Sequence, residues 1–182
     1  MGQSLDHGCA VLLTACGAAA SAPGVVDRVT RHLQREAAIG GYDAADEAAS
    51  ELVEARRRVA SLLGLDHGNV SLSDSGTSST VSLFQAMRAA LAASSSKLIV
   101  TDPREFGPNL EQLRRLAAET GATLRLLELT PEGHLDTVQL GRLVASGRVG
   151  MVWLSLAHAH AGSTNPVADL APALSGRPDG TW

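Results

Sequence analysis

Three short stretches of this 182-residue sequence carry the residue types that chemistry needs. The first is Asp74-Ser75-Gly76-Thr77-Ser78-Ser79-Thr80, small hydroxyl side chains around one glycine at the start of a helical pattern. Residues of this kind at a helix start aim backbone N–H groups, hydroxyls and the positive end of the helix dipole at one point, which suits a phosphate. The same residues would also serve as plain helix caps with no ligand at all. The spacing is neither that of a nucleotide P-loop with its lysine nor that of a Gly-x-Gly-x-x-Gly dinucleotide turn. The second stretch is Asp102-Pro103-Arg104-Glu105-Phe106-Gly107-Pro108-Asn109. It holds Phe106, one of only five aromatic residues, which could lie flat on a ring-shaped ligand or pack as a lid on the following helix. The third is Ala157-His158-Ala159-His160-Ala161-Gly162. Its two histidines could ligate a metal, but no third ligand stands at a supporting spacing, so no metal site is expected. Either histidine could instead move a proton.

The elements that must position these stretches alternate. Ala48, Leu52, Ala55, Val59 and Leu62 recur at helical spacing from Asp43 onward, and Gly64 closes that helix. Arg56-Arg57-Arg58 on its other side is expected to be a solvated face. Val70 to Ser73 is a short strand candidate, followed by a helix over 79–93 with Val81, Phe84, Met87, Ala90 and Leu91 on one side. Strands are expected over 97–101, 123–129 and 149–155, with helices over 108–120 and 136–145 between them and a last one over 167–174. Leu98-Ile99-Val100 is the continuous apolar run of a buried parallel strand. Gly121 closes the helix over 108–120, Asp136 caps the next, and Asn165-Pro166 opens the last. This order predicts an α/β fold, a mostly parallel sheet covered by helices on both faces. Ligands of such sheets bind at the loops after the strands, where all three stretches fall.

Composition narrows the function classes. With 45% apolar and 19% charged residues the chain reads as globular, and its net charge of -4 offers nothing to nucleic acid or an anionic membrane. Fourteen arginines accompany a single lysine, Lys97, which is expected to be a solvated charge at the start of a strand, on the edge away from the loops. Cys9 and Cys16 make neither a disulfide framework nor a four-ligand metal site, and a reducing compartment is the simpler reading. Leu13-Thr14-Ala15-Cys16 has the outline of a lipoprotein cleavage box, but no Lys or Arg precedes it, against an exported leader. No apolar run has the ~20 residues of a bilayer span, so a cytoplasmic location is expected.

Taken in order, Leu12-Leu13-Thr14-Ala15-Cys16-Gly17-Ala18-Ala19, Ile39-Gly40-Gly41-Tyr42-Asp43-Ala44-Ala45, the Ser-Gly-Thr-Ser loop, Glu105-Phe106-Gly107-Pro108-Asn109 and Gly162-Ser163-Thr164-Asn165-Pro166-Val167 form an ordered set. It resembles the N-terminal part of the class V aminotransferases, pyridoxal-phosphate (PLP) enzymes of fold type I. Within them it is most similar to the C-S lyases of ergothioneine biosynthesis. The resemblance runs from about Leu12 to Leu174. It implies a partial large domain of that fold, and places Thr77 and Ser78 at the PLP phosphate and Phe106 on the pyridine ring. It places His160 where the family bonds the cofactor's phenolic oxygen, and Tyr42 near the substrate mouth. The implied chemistry is β-elimination of a sulfur group from an amino acid, with PLP stabilising the carbanion at Cα. The implied partners are an amino-acid substrate and, in full-length members, a second subunit of a homodimer.

The resemblance also implies an Asp that keeps the pyridine nitrogen protonated and a Lys that forms the Schiff base, both later than Trp182. The expectation is therefore a single domain over 1–182, made of an N-terminal segment of about 1–42 and a partial cofactor-binding domain of about 43–182. It would lack its own catalytic residues and pack poorly by itself. The alternative is a non-catalytic α/β fragment that binds a phosphate-bearing ligand or pairs with another chain.

Overall fold

The computed structural model of the chain describes residues 20–158, 161–168 and 170. Two compact units emerge, Met1–Leu72 and Ser73–Trp182.

In the first unit, helix α1 (Pro23–Ile39) and helix α2 (Gly41–Leu63) form an antiparallel hairpin. Pro23 starts α1, where its missing N–H costs nothing. Gly40 makes the turn at φ 92°, a backbone that other residues adopt poorly. Arg35 grips Glu47 through both carboxylate oxygens at 2.8 and 2.6 Å, and Arg28 pairs with Glu51. Gly64 ends α2 in the left-handed region, as its position after the apolar stripe predicts. The stripe itself stays open: Leu52 and Leu62 are exposed, and only Ala44 and Ala60 of α2 are buried. Arg57 and Arg58 both bond Glu54 on the surface, the solvated face expected of the arginine run. Val70 to Ser73 is not a strand: Val70 has extended backbone, but no described strand pairs with the segment.

The second unit is α/β. Strands β1 (Leu98–Thr101), β2 (Thr123–Leu126) and β3 (Val149–Trp153) form a parallel sheet in the order β2-β1-β3. Helix α3 (Gly76–Ala93) precedes β1, α4 (Gly107–Thr120) joins β1 to β2, and α5 (Thr137–Ala145) leads into β3. Asp136 caps α5 by accepting from the N–H of Gln139 at 2.8 Å. The strands β2 and β3 stop at Leu126 and Trp153, short of the expected 129 and 155, where the chain leaves the sheet to form the loops.

Both faces of the sheet are covered, as the continuous apolar run requires. Leu98 and Val100 pack with Leu140 and Val144 of α5 and with Leu170 on one face. Ile99 packs with Phe84 and Leu91 of α3 and Leu113, Leu116 and Ala117 of α4 on the other. Full burial of Ile99 or Leu113 contributes roughly 1.5–3 kcal/mol each. The alternation breaks once. Val149 and Met151 are two residues apart yet face opposite sides, because the register slips at Gly150 against Leu98/Ile99. Gly150 is the extra residue of this β-bulge, and a Cβ there would stand 2.2 Å from the carbonyl oxygen of Ser96.

Lys97 lies at the edge where β1 begins, but it is not a solvated charge. Its ammonium donates to the carbonyls of Leu91 at 2.9 Å and Ala92 at 2.6 Å in α3 and to that of Thr120 at 3.1 Å in α4. A cation on carbonyls at two helix C-termini offsets the negative ends of both dipoles. Since α3 and α4 both finish at this edge, both begin on the side where the strands end.

Candidate functional site

That side collects the loops. At the start of α3, Ser75 is the N-cap, its hydroxyl accepting from the N–H of Ser78 at 3.1 Å. The cap function foreseen for this loop is therefore real and falls to Ser75. The N–H groups of Gly76 and Thr77, in the first turn, have no intrahelical acceptor. Thr77 is exposed and Ser78 half-buried, with the Ser78 hydroxyl 3.0 Å from that of Ser75. The arrangement leaves donors for an anion beside a satisfied cap.

At the start of α4, Phe106 is 55% exposed, so it is not a lid buried on its own helix. It stands on a fixed base. Glu105, buried beneath it, accepts from the Phe106 N–H and the Asn109 amide, both at 2.9 Å, and from the Ser155 hydroxyl at 2.8 Å. The aromatic ring therefore projects from a loop tied both to its helix and to the segment after β3.

Immediately after β1 lies a buried polar cluster whose members are far apart in the sequence. Asp102, fully buried immediately after β1, receives Arg104 through Nη2 at 2.7 Å and Nε at 3.0 Å, and the Arg104 backbone N–H at 2.8 Å. Nε2 of His158 lies 2.9 Å from Asp102 Oδ2, and the Asn165 amide 3.3 Å from the same oxygen. Arg104 goes on to the carbonyl of Gly133 at 2.7 Å and the hydroxyl of Ser163 at 3.3 Å. One carboxylate thus joins the loops that follow β1, β2 and β3. Burial pushes the Asp102 carboxyl up, but the hydrogen bonds of Arg104 and Asn165 and the nearby His158 outweigh it and bring it down to about 2. The loop holding His158 is closed by the pairing of Ala157 with Thr164 and by the His158 N–H on the Ser163 carbonyl at 2.9 Å.

Thr77, Ser78 and Phe106 thus lie at helix starts on one side of the sheet. His160 lies outside the described residues. Tyr42 belongs to the first unit, 90% exposed in the first turn of α2. Among the described residues, two buried polar atoms, Thr101 Oγ1 and Trp153 Nε1, have no hydrogen-bond partner. They belong to register partners, on the face covered by α3 and α4 and at the C-terminal end of their strands. No group of three or more metal-ligating side chains occurs among the described residues, and no described helix is long and apolar enough to cross a membrane.

A parallel α/β unit with helix starts, hydroxyls and an aromatic ring gathered beyond its strand ends belongs to a recognisable lineage: the chain is a member of the class V aminotransferase family, which it matches over residues 11–175. Among curated proteins it is similar to the "Probable hercynylcysteine sulfoxide lyase" of Mycobacterium tuberculosis (strain CDC 1551 / Oshkosh), 28% identical over 148 residues. Those residues are 80% of this chain and 35% of that protein, so the chain spans about a third of its relative's length.

Proposed function

We propose that this chain provides the phosphate-binding and ring-stacking side of a pyridoxal-phosphate site, in an enzyme of C-S lyase type acting on a sulfur-containing amino acid. The observation that carries the reading is the free first turn of α3, with Thr77 and Ser78 beside an already satisfied cap, on the same side of the sheet as the exposed Phe106. The donor set fits a phosphate-bearing aromatic cofactor: N–H groups and hydroxyls for a dianion, an aromatic face for a ring. When bound, pyridoxal phosphate supplies an electron sink for charge developing at an amino acid's Cα.

The chain's own residues have separate tasks in this reading. Thr77 and Ser78 hold the phosphate, so that ring placement is set by the α3 start. Phe106 holds the ring plane, and Glu105 keeps the Phe106 loop in place through Asn109 and Ser155. His160 bonds the phenolic oxygen, and Tyr42 stands near the substrate, both on the strength of the family resemblance. Lys97, the sequence's one lysine, is committed to helix ends at the opposite edge and has no part in the site. The lyase branch of the family is supported by the name of the similar mycobacterial protein. A cytoplasmic location and a homodimeric full-length form belong to the same proposal.

Titration of the purified chain with PLP, followed by absorbance, tests it beside a Thr77→Ala/Ser78→Ala double variant. Saturable binding that weakens in the variant, with no attachment surviving borohydride, is the expected result. No binding, or equal binding by both proteins, overturns the proposal and favours the non-catalytic reading.

A further inference from the structure

The Asp102 cluster fixes more than loop positions. Asn165 donates one amide hydrogen to the Ser155 carbonyl at 2.9 Å, which identifies the atom facing His158 as its amide nitrogen. That nitrogen lies 2.9 Å from His158 Nε2, and the Asp102 carboxylate lies at the same distance from the same ring atom. A bare Nε2 would set its lone pair against a carboxylate oxygen in a buried site, where charge repulsion is strongest. A protonated Nε2 instead gives the carboxylate a charge-assisted bond, and Asn165 turns its second hydrogen to the same oxygen at 3.3 Å.

We propose that Asp102 is a positioning residue that holds His158 as the Nε2–H tautomer, leaving Nδ1 as the ring atom able to accept a proton. Arg104 and Asn165 keep the carboxylate in register by binding it from two further directions. His158 thereby offers one fixed ring nitrogen for proton transfer at the strand ends. Its use in the reaction rests on the cofactor reading above; the tautomer does not.

Long-range proton–nitrogen correlation spectra of the full chain read the tautomer directly, with the His158→Gln variant identifying the signals. The expected result is one neutral ring state with Nε2 protonated and Nδ1 bare, replaced by a mixture of tautomers in Asp102→Ala and unchanged in Glu105→Gln. A wild-type ring protonated at Nδ1 alone or at both nitrogens, a mixture in the wild type, or an unaltered pattern in Asp102→Ala overturns the proposal. The wild-type spectrum decides even where the Asp102 variant does not fold. PLP titration of the same samples separates the two readings: absent binding beside a pure Nε2–H state removes the cofactor and keeps the positioning residue.

Discussion

Asp102 illustrates how a buried charge can be held in place by its neighbours. Three hydrogen bonds from Arg104 alone satisfy both carboxylate oxygens, and His158 and Asn165 complete the shell. Its carboxyl is held at about 2, below the ~3.9 of an unfolded chain, so the folded state gains stability above about pH 4 and loses it as pH falls towards 2. The amount is about 2–3 kcal/mol. Asp102→Asn should cost roughly 3 kcal/mol at pH 7, since it leaves the half-buried Arg104 without its counter-charge. Urea unfolding should show this deficit narrowing between pH 4 and pH 2; a pH-independent deficit would remove the ionic account. None of the cluster was legible as a unit in the sequence, because Asp102 and Asn165 are 63 positions apart. His158 shows in the sequence as one of two histidines, either of which could move a proton, with nothing local to tie it to Asp102. By contrast Thr77, Ser78 and Phe106 stood out, since small hydroxyls at a helix start and an aromatic in a Gly/Pro loop are local signals.

Elements were legible to the degree that their causes are local. Gly64, Gly121 and Asp136 end or start helices where the sequence says they must. Helix α1 carries its signals locally, in Pro23 and the spacing of Val25, Val29 and Leu33, although none of its residues is buried. The bulge in β3 has no such local signal: its cause is the Ser96 carbonyl, over 50 residues away in sequence. Two glycines separate these cases experimentally. Gly150→Ala must move backbone against backbone and should destabilise by about 3 kcal/mol or more, or give insoluble protein. Gly141→Ala, inside α5 with open space around it, should stabilise by about 0.5–1 kcal/mol. Thermal melts of both variants check the contrast, and equal effects would refute the bulge argument.

At the scale of the second unit, the sheet has two chemically different edges. Strand ends, helix starts and the Asp102 cluster share one; Lys97 and the helix ends occupy the other. The alternation of strands and helices makes this polarity legible in the sequence, because parallel strands need crossover helices and so sort helix starts from helix ends. What alternation could not reveal was that the lone lysine works for the fold. Lys97→Met removes three donors at once and should lower the unfolding midpoint of this unit by an amount equivalent to about 1–2 kcal/mol, with PLP affinity unchanged. A loss of PLP affinity without loss of stability would place Lys97 in the site instead.

The commitment of that one ammonium also makes the chain its own conformational clock. A lysine-specific protease has a single peptide bond to cut, after Lys97, and the fold holds that bond between the end of α3 and the central strand. Cleavage there reports how often the second unit opens, and two fragments of nearly equal length, 97 and 85 residues, are the whole readout.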